Sequence, residues 1–114
     1  MAKRAATRLE KLWMSAVASM GCCVCRRQGT RPRLAAIHHI RTGIGMGQRA
    51  SHFDVIPLCY RHHQGEEGIH HLGRRAWERA IGITELGLLE LTNETMKAAF
   101  PTLVDERHNN GEKQ

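Results

Sequence analysis

Leu9, Leu12, Trp13, Ala16, Val17 and Met20 fall at offsets of three, four, seven, eight and eleven from the first. That spacing lays one apolar stripe along a helix, with Thr7 placed to cap its start and Gly21 to end it. Cys22 to Cys25 then form a knuckle and Arg26 to Pro32 a basic turn. Leu34 to Ile40 is short and β-compatible, and Asp54 to Leu58 is a second strand that ends around Pro57. Cys59 to Gln64 opens a short helix, limited by Gly65 and Gly68. Beyond Gly73, Trp77, Ala80 and Ile81 share a helical face that stops at Gly82. Thr84 caps a further helix with Leu86, Leu89 and Met96 on one side, running toward Pro101. The polar tail, residues 105–114, is expected to fray. The order is helix, knuckle, strand, loop, strand, helix and two closing helices: an α+β chain forming one domain over residues 1–114.

Length and charge narrow this picture. With 114 residues and 41% hydrophobic content, a single core is near the size at which a structural metal still helps. Aromatic residues make up 4%, which excludes an extensive aromatic core. A net charge of +6 and a pI near 9.7 favour a polyanionic partner, nucleic acid first. No signal-length apolar stretch opens the chain and no eighteen apolar residues run together. A soluble, cytosolic protein with neither membrane nor small-molecule partner is the expectation.

In a reducing cytosol, four cysteines in two tight groups point to zinc rather than to disulfides. Cys22-x-x-Cys25 and Cys59-x-x-His62 have matching ligand spacing and can close a tetrahedral site. Two intervening residues make a turn whose N–H groups face both thiolates, which selects Cys22 over its neighbour Cys23. Because 33 residues separate the pairs, the zinc would staple distant segments. Cys23 is left as a packed or free thiol.

Three further histidines, His38, His39 and His63, stand near those ligands. His38 and His39 are successive strand residues, so their rings face apart. His62 and His63 project about 100° apart on a helix, so one can serve the staple and the other a second metal. His38 and His63 are thus left to hold that metal, and His39 is an imidazole able to take a proton near neutrality. A cation held by neutral imidazoles stays electrophilic toward phosphate oxygens. Arg41, Arg49, Arg61, Arg74 and Arg75 are the expected phosphate contacts, the first two flanking a loop with Gly43, Gly45 and Gly47. That loop lacks the Gly-Lys-Ser/Thr ending of a P-loop.

The order Cys22-x-x-Cys25, His38-His39-Ile40, Asp54-Val55-Ile56-Pro57-Leu58-Cys59-x-x-His62-His63 resembles the zinc-stapled branch of the HNH endonucleases, with their ββα-metal (His-Me finger) fold and flanking helices. Ile-His-His-Ile-Arg-Thr-Gly, Pro-Leu-Cys-x-x-His-His and Gly68-Ile-His-x-x-Gly73-Arg-Arg-Ala-Trp-Glu look more closely like the phage recombination enhancement function family, the RecA-dependent nucleases. The likeness covers about residues 15–92.

The resemblance implies that His38 and His63 bind the reaction metal and that His39 is the general base. Asp54 stands where the family has the middle Asn that orients that base. His70 matches a histidine able to complete the metal shell, and His52 is a weaker candidate. It further implies Mg²⁺ or Mn²⁺ as the working cation with Zn²⁺ an alternative occupant, and a DNA substrate in displacement loops made by a RecA filament in a bacterial cell. Lys3, Arg4 and Arg8 are too few to replace the basic segment expected ahead of the nuclease core. A DNA endonuclease is the leading reading. The rival is a noncatalytic zinc-dependent DNA-binding module, which would need the cysteines but not His38 and His39 beside His63.

Overall fold

The computed structural model describes residues 5–45 and 47–111, so Lys3 and Arg4 lie outside the described residues. It is a small mixed α/β structure with a two-stranded antiparallel sheet. Helix α1 spans Arg8–Ser19 and starts in a capping box: the Thr7 hydroxyl accepts from the Glu10 N–H, and the Glu10 carboxylate accepts from the Thr7 N–H. Gly21 follows at φ +79°, and a Cβ there would meet Pro32 Cβ at 2.7 Å. Only glycine satisfies both the turn and the close approach.

The basic turn expected from Arg26 begins later than foreseen. Cys23–Arg27 form a short helix, α2, because the Cys22 Sγ accepts from the Cys25 N–H at its N-terminus. Strands β1 (Ala36–His39) and β2 (Val55–Leu58) pair with His38 opposite Ile56 and His39 opposite Val55. The Ile40 N–H donates to the Asp54 carbonyl, so alternation puts Pro57 at a position whose N–H would point away from β1. A proline therefore sits inside the strand at no cost in ladder bonds.

Three helices follow as expected in kind: α3 (Tyr60–His63), α5 (Arg74–Ile81) and α6 (Glu85–Ala99); a further helix beyond Pro101, α7 (Pro101–Glu106), was not foreseen. A single extra turn, α4 (Ile69–Leu72), was not foreseen between the glycines. Two helical faces differ from their expected composition. On α5, Ala80 is exposed while Trp77 is fully buried. On α6 the buried row is Glu85, Leu88, Thr92 and Met96, and Leu86 lies outside it. An acidic residue replaces a leucine in the buried row because it finds partners there, described below.

The tail does not fray over its described part. Arg107–Gly111 continue as a π-helical turn, and Arg107 lies over Trp13 and Phe53 at 4.8 and 5.1 Å from the ring centroids. Its guanidinium also reaches the Asp54 carboxylate at 3.5 Å. Cation–π contact and an ion pair hold a segment that composition alone marks as loose.

The four residues of β2 are buried on both faces. Val55 faces one cluster with Trp13, Val17, Phe53, Met96 and Val104. Ile56 and Leu58 face the other, with Val24, Ile40, Trp77, Leu88 and the three cysteines Cys22, Cys25 and Cys59. The sheet thus divides a mainly apolar side, which also carries His39, from a side that carries both candidate metal-ligating groups. Among the described residues, no helix is long and apolar enough to cross a membrane.

Candidate metal centres

The staple ligands come together. Cys22 starts α2, Cys25 sits one turn on, Cys59 precedes α3 and His62 lies within it. Three sulfurs surround one imidazole nitrogen: His62 Nδ1 is 3.6 Å from the sulfurs of Cys22 and Cys25 and 3.3 Å from that of Cys59, and the sulfurs of Cys25 and Cys59 are 3.8 Å apart. Donors on one tetrahedral zinc stand roughly 3.8 Å apart for two sulfurs and roughly 3.6 Å for sulfur and nitrogen. The spacing fits. All four residues are buried, so this Cys₃His group could hold a metal, and the donor set suits zinc. Burial pushes the Cys22 thiol up to about 12. At Cys59 burial acts the same way, but hydrogen bonds from the His62 N–H and from the neighbouring thiols outweigh it and the group falls below its ordinary value. A cation would complete the deprotonation that burial alone resists. Cys23 stays outside the group, packed against the core, with burial raising its thiol to about 12.

A second group forms from His38 on β1, His63 on α3 and His70 on α4. His63 Nε2 and His70 Nε2 are 3.1 Å apart. The His38 ring centroid lies 5.2 Å from that of His63 and 5.3 Å from that of His70. Two imidazole nitrogens on one ion stand roughly 3.0 to 3.4 Å apart, so these donors also fit a metal. Gly68 makes the approach possible: a Cβ there would lie 2.5 Å from the His63 carbonyl carbon, so only glycine lets α4 pack onto the end of α3. Burial is graded, from His38 inside through His63 to the exposed His70. Burial, then the neighbouring His38 and His70, lower the His63 imidazole to about 4, leaving it neutral and able to donate a lone pair.

Sequence reasoning missed the residue behind His38. Glu85, 1% exposed, places Oε2 at 2.6 Å from His38 Nε2, and its Oε1 accepts from the N–H and hydroxyl of Thr42. Burial raises this carboxyl, but the His38 and Thr42 hydrogen bonds outweigh it and hold it down at about 2. In the sequence, a Glu following a capping Thr reads as a first-turn acid, so nothing marked it out.

His39 is not one of the three converging rings. It lies on the opposite face of β1, half-buried, with Nε2 2.9 Å from His52 Nδ1. Burial, then His52 and His38, lower its pKa and keep it unprotonated. His52, expected as a weaker metal candidate, is its partner. The Asp54 carboxylate turns to Arg107, while the Asp54 carbonyl accepts from the Ile40 N–H, next to His39. Of the expected phosphate contacts, Arg61 is paired with Glu67 and Arg74 with Glu78, and Arg41 donates to the Gln48 carbonyl. Among the described residues, Arg49 and Arg75 carry no ion pair, and both are exposed.

A family model described as "Recombination enhancement, RecA-dependent nuclease" matches residues 6–83. No curated protein and no solved structure matches the chain.

Proposed function

From the premise that this chain belongs to the recombination enhancement, RecA-dependent nuclease family, we propose that it is a metal-dependent DNA endonuclease of HNH type, one domain built on a ββα-metal core. The observation that carries this reading is the second ligand group. A zinc-dependent binding module needs the sealed Cys₃His centre, yet His38, His63 and His70 converge outside it with burial that falls toward solvent. Three imidazole donors with an open side are what a catalytic centre requires and a purely structural one does not.

In this reading the Cys22, Cys25, Cys59 and His62 group is a structural zinc site. His38 and His63, with His70, hold the reaction cation, Mg²⁺ or Mn²⁺ with Zn²⁺ an alternative occupant. That cation, when bound, supplies positive charge to the phosphate oxygens and the departing 3′ oxygen. His39 takes a proton from the attacking water, whose oxygen bonds to phosphorus as the bond to the 3′ oxygen breaks. The 3′ oxygen leaves as a hydroxyl after taking up a proton from solvent. The lowered pKa of His39 increases the share of the ring that is unprotonated and able to accept the water's proton. Asp54 holds the strand behind His39 through its carbonyl.

The exposed cations of Arg41, Arg49 and Arg75 contact the DNA backbone. Arg61 and Arg74 join them once phosphate displaces their carboxylate partners, a weak competition at an exposed pair. None of these reads base edges, so cleavage is weakly sequence-specific. The family description names RecA, and displacement loops on a RecA filament in a bacterial host are the proposed setting. The deciding experiment is plasmid nicking by the purified protein across divalent metals, with and without a recombinase filament. Nicking that His39→Ala abolishes while zinc content persists supports the endonuclease. Metal-independent binding unaffected by the same substitution would leave the noncatalytic module.

A further inference from the structure

Glu85 lies beyond the residues that the family model matches, on a helix that contributes nothing to either ligand group. Yet its carboxylate is the most completely buried acidic group described, and each oxygen is committed. Oε2 takes His38 Nε2 at 2.6 Å, and Oε1 takes the N–H and hydroxyl of Thr42, the N–H at 3.1 Å. The Glu85 N–H in turn donates to the Glu78 carboxylate at 2.7 Å, and Glu78 pairs with Arg74. A carboxylate so placed is an acceptor only. The hydrogen at 2.6 Å therefore belongs to His38 Nε2, and of the two neutral tautomers this contact selects the one whose lone pair is on Nδ1.

From this we infer that Glu85 is the positioning residue of the histidine centre: it fixes His38 in the Nε2–H tautomer, so that Nδ1 is the atom offered to a cation. It does so from α6, and through Thr42 it ties the same ring to the start of the glycine loop. This deepens the endonuclease reading and rests on it, since it takes His38 as a ligand. The arrangement explains why an acidic side chain occupies the buried row of α6. A leucine there would leave both the His38 N–H and the Thr42 N–H without acceptors, at a cost that buried donors rarely bear. A ligating imidazole commonly donates its other N–H to a carboxylate, which sets the tautomer and the ring angle, and loss of that partner weakens metal affinity by about 10- to 100-fold.

The test uses the full chain with its cysteine-bound zinc retained and no other metal added. Long-range ¹H–¹⁵N correlation spectra at mildly alkaline pH assign the tautomer of each histidine. The expected result is a single Nε2–H form for His38, kept in Glu85→Gln, whose amide oxygen still accepts, and replaced by a mixture in Glu85→Leu. An Nδ1–H form in the unmodified protein, or a His38 tautomer indifferent to Glu85→Leu, would overturn the inference. Because the first of these outcomes is read in the unmodified protein, a variant that fails to fold leaves the test intact. Manganese titration then separates this inference from the reading it deepens. Weaker binding by about 10-fold or more in Glu85→Leu supports both. An unmodified protein with a fixed tautomer but no second cation keeps the positioning role and removes the catalytic centre.

Discussion

His62 and His63 are neighbours on one helical turn, yet they belong to centres of opposite character. His62 joins three cysteines in a group buried at every member, while His63 joins His38 and His70 in a group that runs from buried to exposed. A step of about 100° around α3 separates them. The sealed centre has four protein donors and no side open to water. The histidine centre has three and an exposed edge. The difference teaches how so small a chain can divide its labour: a metal in the closed group would tie α2 to the sheet and α3, while the open group presents its donors toward solvent.

The largest expected effect breaks the closed side of this comparison. Cys25→Ser removes a ligand from the middle of the first core cluster and should cost at least about 4 kcal/mol, as losses of structural metal do. Circular dichroism melting and zinc analysis together check it. Loss of zinc with an unchanged melting curve would show that the cysteines do not hold the fold. Strong chelation of the unmodified protein should reproduce the unfolding.

The open side should respond in the opposite way. His63→Ala should lower nicking by about 100-fold or more and abolish the second cation site, while one zinc per chain and the melting temperature stay as they were. His39→Ala should cost about 10²- to 10⁴-fold in rate with both metal sites retained. The pair of variants separates holding a cation from moving a proton. If His39→Ala also released the second cation, His39 would be a ligand and not a base.

The same contrast governed what could be read from the chain. The closed centre was legible because two x-x spacings, Cys22 to Cys25 and Cys59 to His62, are local geometry written in the sequence. Helix α1 was legible through its stripe and its Thr7 cap. The open centre was legible from residue spacing only as far as His38 and His63, and His70 entered only through the family resemblance. That His70 completes the group depends on the α4 turn and on Gly68 meeting the His63 backbone, neither of which has a periodic signal. Glu85 is 47 residues from His38, and a first-turn Glu looks alike whether it faces water or a buried imidazole. The His39–His52 pair was missed for a similar reason, since it is closed by the fold of a loop. The tail misled because polar composition hides a single arginine that stacks on two rings.

That arginine supplies the smallest effect and the finest division between the two regions. Arg107→Ala removes cation–π contacts with Trp13 and Phe53 and the 3.5 Å pair with Asp54. The contacts lie in the apolar cluster, across the sheet from both metal groups. Two partly buried cation–π contacts and a half-exposed ion pair together stabilise the fold by about 1–3 kcal/mol. The melting temperature should fall by about 4 °C per kcal/mol, with both metal stoichiometries unchanged. The nicking rate then tests Asp54. If Asp54 holds the strand behind His39 through its carbonyl, freeing its carboxylate leaves the rate within about twofold, because the Ile40 N–H bond survives. A fall as deep as that of His39→Ala would mean that the carboxylate, steadied by Arg107, acts on the base directly.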